Sequence, residues 1–363
     1  MALKIWDGFD HYSATADFLA RSGFLQYAMP GVEQPTLTFV AGRVGGSAVQ
    51  VYNPSLFLNS QLSAVWGDRN VEAFYGFALF ISGGSVNLPS SFFHRLQDTV
   101  AAAPQLTIKF DGLNHAVQIW RGDYGGTSLF LSANNVWTSD VWNFVEVHAK
   151  IDGSAGELEV LINGVSVASV SGVNTQATAN AWFDASDFIA HGASDVSGTG
   201  TIWLDDLYYC DTTTGPGTFP ANTYLGDSRT VTLFANGEGT VQWTPLAGTN
   251  WSQIAETAMD SDASYNYAAA ATDEDQIGFQ ALSASIPVIF GIELTIAVRK
   301  DDAGARVLKT GVKSGSTVSY GSNHSLSSGY AYFTDTWILD PATSANWTIS
   351  GVNAVLGLYN LVS

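Results

Sequence analysis

Residues 157–162 alternate polar and apolar side chains, meet Asn163-Gly164, and resume the alternation over 165–170. Asn-Gly between two such runs is the strongest short-range hairpin signal. A two-residue type I′ turn needs positive φ at both positions, and these two residues tolerate it. A chain that commits to this turn commits to antiparallel pairing, and the same pattern fills the rest of the sequence. Runs at 71–81, 106–110, 116–120 and 143–151 read as strands in the first half. In the second half, 231–234, 276–282, 288–299, 306–313, 316–320, 330–338 and 352–359 read the same way. The one helical signal is at 13–23, with Ser13 as N-cap, Phe18 and Leu19 toward a core and Gly23 as stop.

Composition agrees with short strands and polar turns. Only 13 % of the residues are charged, about half the roughly 25 % of ordinary soluble domains. The 36 glycines and 12 % aromatics supply turns and core. A length of 363 residues leaves room for two hydrophobic cores. Many strands separated by turn signals every 8–12 residues or so predict an all-β chain of β-sandwiches. The boundary falls after Trp203-Leu204-Asp205-Asp206-Leu207-Tyr208-Tyr209-Cys210-Asp211. Thr212 to Pro220 is a Thr/Gly/Pro linker, and a fresh β pattern opens at Tyr224. The expected domains are therefore a sandwich over 1–211, a linker over 212–220, and a smaller β-sandwich over 221–363.

The formal net charge is −19, with only 14 Lys and Arg. Such a chain is repelled by phosphate backbones, so no nucleic acid is expected as a partner. It also offers no polybasic patch to an anionic membrane and no apolar run of about 18 residues. The first ten residues lack a basic region followed by an apolar core, so synthesis in the cytoplasm without a signal peptide is expected. Cys210 is the single cysteine, which excludes an intrachain disulfide; its apolar neighbours make it a buried thiol.

Three segments of the first half carry a resemblance. Trp142 to Asp152, then Gly156 to Gly164, then the closing run Ile202 to Tyr209 follow the order of a strand, an Asn-Gly hairpin and a final Asp-Asp-Leu strand. In this the first domain resembles the concanavalin A-like lectin/glucanase jelly roll of the LamG-like variety. The whole chain also resembles a class of tailed-bacteriophage virion proteins, of tail-fibre, minor structural or capsid-decoration type. That likeness lies in the opening Trp6-Asp7-Gly8-Phe9-Asp10-His11-Tyr12, in Leu225-Gly226-Asp227-Ser228-Arg229-Thr230-Val231, and in Ala297-Val298-Arg299-Lys300-Asp301-Asp302-Ala303-Gly304. It implies a place in a virion assembled in the host cytoplasm, with phage tail or capsid proteins and further copies of itself, as a trimer, for partners.

Chemistry is sparse in the motifs. A glucanase needs two carboxylates placed across the scissile bond. The family's Glu-x-Asp-x-x-Glu pattern is missing, and Glu157 and Glu159, which share a strand face, read as solvated edge residues. A glycan site is expected in the Gly/Ser-rich stretch before the closing strand, from Trp182, Asp184, Asp187, His191 and Asp195. Their aromatic ring and short acids suit stacking and hydrogen bonding to a sugar. Asp260-Ser261-Asp262 imitates the start of a calcium loop, but Tyr265 stands where Gly is needed and Ala271 where the bidentate Glu is needed. A non-EF calcium site would draw on Asp260, Asp262, Asp273 and Asp275; no other cofactor is expected. Asp205 and Asp206 read as anchors of the closing strand. Arg121-Gly122-Asp123 and the sequons at Asn250, Asn323 and Asn346 carry no function without export. No zinc spacing, Walker loop or nucleophile elbow is present.

These observations predict a non-enzymatic structural component of a phage particle that adheres to host-surface polysaccharide. A lectin module for host recognition is the first alternative, and a glycoside hydrolase or lyase the second.

Overall fold

The computed structural model describes residues 2–12, 18, 25–26, 36–53, 60–83, 91–191, 200–212 and 223–363, save 258, 269, 284 and 287. Over these the chain is all-β, as the sequence predicts. Of the helical stretch at 13–23 only Phe18 is described; it is helical and buried. Contacts divide the chain into two units. One takes in Met1–Asp10, Gly23–Thr214 and Pro220–Thr230; the other takes in His11–Ser22, Gly215–Phe219 and Val231–Ser363. The restart segment around Leu225-Gly226-Asp227 therefore belongs with the first unit.

In chain order the strands of the first unit are β1 (Ala2–Asp7), β2 (Leu25–Gln26), β3 (Thr36–Ala41), β4 (Ser47–Asn53), β5 (Ser60–Asn70), β6 (Glu72–Ile81), β7 (Ser91–Asp98), β8 (Ala103–Asp111), β9 (Ala116–Arg121), β10 (Thr127–Leu131), β11 (Trp142–Lys150), β12 (Gly156–Ile162), β13 (Val165–Val173), β14 (Phe183–His191) and β15 (Gly200–Asp211). They form an eight-stranded sheet, ordered β13-β12-β11-β6-β15-β4-β3 with β1 on β15, and a seven-stranded sheet, ordered β10-β9-β8-β7-β14-β5-β2. The two sheets stack as a jelly-roll sandwich. Alternate residues of each strand face inward, and the inner rings meet edge to face: Phe77 of β6 lies 5.1 Å from Phe188 of β14 and 6.1 Å from Phe92 of β7. Each such side chain, fully buried, contributes about 1.5–3 kcal/mol.

The Asn-Gly turn is as expected. Asn163 and Gly164 have φ of 51° and 78° and join β12 to β13. Asn163 also accepts a hydrogen bond from the Phe144 N–H through Oδ1, at 2.8 Å, which ties the turn to β11. The Asp-Asp pair of the closing strand is a β-bulge. The register of β15 against β6 shifts between Asp205 and Tyr208, and Asp206 takes φ 50°. An extra residue there turns both carboxylates toward Arg43.

In the second unit, Ala235–Glu238, Glu274–Phe279, Leu356–Leu361, Val307–Ser314 and Thr317–Ser325 form a five-stranded sheet. The ribbon of Ile292–Val298 paired with Ala331–Trp337 covers one face of it. Ile292 and Leu294 pack with Val312, Trp337 and Trp347, while Ile296 and Val298 pack with Ile277, Leu308 and Tyr359. Two expectations fail here. Residues 231–234 are not a strand, which begins only at Ala235. Val352, expected in a strand, lies in the short helix Ile349–Ala354. Thr348 caps that helix by accepting from the Gly351 N–H at 3.0 Å, and Val352 and Val355 both turn into the core.

Candidate functional site

The seven-stranded sheet carries chemistry on the face turned away from the core. On β7, Phe92, His94 and Leu96 point inward, which sends Phe93, Arg95 and Gln97 to the other side. On β8 the same alternation puts Leu106, Ile108 and Phe110 inside and turns Thr107, Lys109 and Asp111 to the opposite face, where all three are nonetheless buried. Strand register then lines up Ser63, Asp187, Arg95, Thr107 and Trp120 in one row across β5, β14, β7, β8 and β9. Neighbours in such a row are about 5 Å apart. The next row runs through Ile189, Phe93, Lys109 and Gln118.

Two acidic residues neighbour Arg95. Asp187 stands opposite it on β14 and is only 3 % exposed. It accepts from the Ser63 hydroxyl at 2.6 Å and from the Gln97 amide. Asp123, on the turn between β9 and β10, reaches the Arg95 Nη2 at 2.7 Å. Among the described residues the buried Arg95 Nε–H has no acceptor. Beside this group, the Lys109 ammonium lies 3.4 Å from Asp111 and 4.9 Å from the centre of the Tyr124 ring. Tyr124 packs edge-on against Trp120 at 4.8 Å. Gly122 and Gly125 hold the turn with φ of 79° and 83°, a conformation cheap only for glycine, and so aim Asp123 and Tyr124 at the site.

Behind the row, buried His94 faces Tyr75 Oη with Nε2 at 2.9 Å and the Asp187 carbonyl with Nδ1 at 3.2 Å. Burial drives its pKa down to about 3, so the ring is neutral and holds the floor of the site.

Of the five residues expected to bind a glycan, only Asp187 is placed here. Trp182 lies under the Arg69 guanidinium at 4.6 Å. Asp184 accepts from the Thr99 N–H at 2.9 Å and hydroxyl at 2.6 Å, at the end of the β7–β8 hairpin. His191 ends β14, opposite Ser91, and its side chain is outside the described set, as is Asp195. The four expected calcium ligands each have other donors. Asp260 accepts from Ser264, Asp262 from Arg299 and Tyr330, and Asp273 from the Ala270 N–H. Asp275 is fully buried among Gln242, Trp243, Asn250 and Tyr359. Among the described residues no group of three or more His, Cys, Asp or Glu is placed to hold a metal ion. Glu159 accepts from Ser166 at 2.7 Å and Tyr224 at 3.0 Å, and Glu157 lies 3.7 Å from Lys150.

No family model matches the chain, and no curated protein matches it. Among solved structures it is similar to a cellulose-induced protein, with a TM-score of 0.40 and 12 % identity over 62 % of this chain and 100 % of that one. It is similar also to a GH131 β-glucanase catalytic domain from Podospora anserina, at 0.40 and 14 % over 59 % and 98 % of the two chains. A third is an alginate lyase, vAL-1, from a Chlorella virus, at 0.36 and 15 % over 50 % and 91 %. Against the expectation of a non-enzymatic structural component of a phage particle, two of these three names are of enzymes, a β-glucanase and an alginate lyase, and none names a phage component. At such identities and scores the names fix no substrate for this chain.

Proposed function

We propose that the first unit is carbohydrate-active and engages a polysaccharide on the outer face of its seven-stranded sheet. The observation that carries this is the row Ser63–Asp187–Arg95–Thr107–Trp120, roofed at one end by Tyr124. A sugar needs apolar ring faces to stack on and fixed hydrogen-bond groups for its hydroxyls. Trp120 and Tyr124 offer the first; Arg95, Gln97 and Asp187 offer the second on strands, which hold them more firmly than loops. Cleavage is favoured as a second reading by Asp187 and Asp123 on either side of Arg95, because paired carboxylates are what glycoside hydrolysis requires.

The test is affinity electrophoresis of the full chain through gels loaded with neutral or uronate polysaccharides, with product release followed in parallel. Retention is expected, and the Tyr124→Ala variant, altered on an exposed turn, should bind roughly 2–10-fold more weakly with an unchanged urea midpoint. New reducing ends that vanish in Asp187→Asn would establish cleavage, with saturated products marking a hydrolase and unsaturated ones a lyase. A chain retained by no polysaccharide would sink the proposal.

A further inference from the structure

The flank of the first unit where β13 and β10 run side by side differs from the rest of the surface. β13 is the outer strand of the eight-stranded sheet and β10 the outer strand of the seven-stranded one, and the two are adjacent. Among the described residues no strand pairs with the outer side of either. An unpaired strand edge presents a row of N–H and C=O groups, and proteins usually guard it with Lys, Pro or inward-pointing charge. Neither strand carries any of these: β13 reads Val-Ser-Val-Ala-Ser-Val-Ser-Gly-Val and β10 Thr-Ser-Leu-Phe-Leu.

The absence of charge extends further. Residues 160–183 and 124–139 contain no Asp, Glu, Lys, Arg or His, in a chain whose net charge is −19. Elsewhere a second copy would meet like charge; along this flank it would not. Val165 and Leu131 are each 64 % exposed there, with Val167, Val170 and Phe130 half-buried.

We propose that this flank is the contact between two copies of the chain, with β13 pairing antiparallel to β13 of the second copy across a two-fold axis. An antiparallel self-pair places each residue against its symmetry mate, and an uncharged Val/Ser strand opposes itself without repulsion. Nine residues at roughly 3.4 Å each give an edge of about 30 Å. The β10 side adds Leu131 and Phe130 to widen the contact toward the ~1,200–2,000 Å² of a stable interface.

The experiment is sedimentation velocity on the full chain over a dilution series, with hydrogen exchange measured at both ends of that series. A dimer is expected, with amides in 165–173 protected at high concentration and exposed on dilution. The Ser169→Lys/Ser171→Lys variant should sediment as a monomer with the wild-type urea midpoint. A wild-type chain that is monomeric throughout, a variant that still dimerises, or protection of 165–173 that ignores concentration would each overturn the proposal; the last of these needs no variant.

Discussion

Arg43 Nε donates to Asp206 Oδ2 at 2.9 Å, and the same residue's backbone N–H donates to Asp205 Oδ2 at 2.8 Å. One residue thus serves both carboxylates of the β15 bulge. Its guanidinium also holds the restart segment, through Asp227 Oδ1 and, at 3.0 Å, the Ser228 carbonyl. Thr230 N–H closes the ring onto Asp206 Oδ1 at 2.8 Å. The paired aspartates, expected as anchors of the closing strand, clasp the segment following the linker.

The clasp predicts a pH dependence. Burial first, and the neighbouring Asp206 second, push the Asp205 carboxyl up from 3.8 to about 7. The folded chain therefore binds this proton more tightly than the unfolded chain does. The stability it contributes is complete below about pH 4 and is lost as pH rises through 7. The difference in unfolding free energy between wild type and Asp205→Asn, from urea curves at pH 5 and pH 8, should fall by on the order of 1–2 kcal/mol at the higher pH. A constant difference would refute the clasp as a titrating element.

His94 predicts the opposite sign. Its folded pKa of about 3 lies below the ordinary 6.5, because burial disfavours the imidazolium. The stability tied to the neutral ring is complete above pH 6.5 and drains away as pH falls toward 3. The penalty of His94→Gln relative to wild type should thus be largest near neutrality and shrink on acidification. Urea midpoints at pH 7 and pH 4.5 measure it, and a penalty that grows toward low pH would contradict the assignment.

Gly164 gives a cleaner local test. A Cβ built there meets nothing within 4 Å, so Gly164→Ala changes only the backbone preference at φ 78°. The expected cost is about 1 kcal/mol, read as a lowered urea midpoint. No change would mean that the turn relaxes out of its type I′ form.

The hairpin was legible because its signal is local: two residues fix the turn and the flanking alternation fixes the strands. The strand at 106–110 is legible for the same reason, but the sequence alone gives no role to Thr107 and Lys109. Their meaning depends on register with Arg95 and Asp187, which lie on strands separated by many residues in the sequence. The sequence signal is the run of polar side chains at 95 and 97 and at every second position of 105–111. Asp184 and Asp187 were grouped because they are near in sequence, but a three-residue spacing in a strand sends side chains to opposite faces. The helix at Ile349–Ala354 is hidden in the sequence because Ile349 and Val352 are β-branched, and tertiary burial outweighs propensity.

Asp275 anchors the second unit, and its removal should be the costliest single change there. The carboxylate is fully buried. Oδ1 accepts from the Gln242 and Trp243 N–H groups at 2.7 and 2.9 Å, and Oδ2 from Asn250 Nδ2 and Tyr359 Oη, both at 2.6 Å. It joins the Glu274–Phe279 strand, the 242–250 segment and the last strand in one network. Burial and then the bond to Asp275 hold the Tyr359 hydroxyl far above its usual pKa, so it remains a donor at any ordinary pH. Asp275→Ala leaves four donors without an acceptor, at about 1–3 kcal/mol each where no water replaces it. A loss of about 4 kcal/mol or more is expected in the unfolding of 231–363, followed by hydrogen exchange of the amides in Leu356–Leu361. Amides in β11 and β6 of the first unit should keep their protection. A variant within about 1 kcal/mol of wild type would show that water enters and satisfies the four donors.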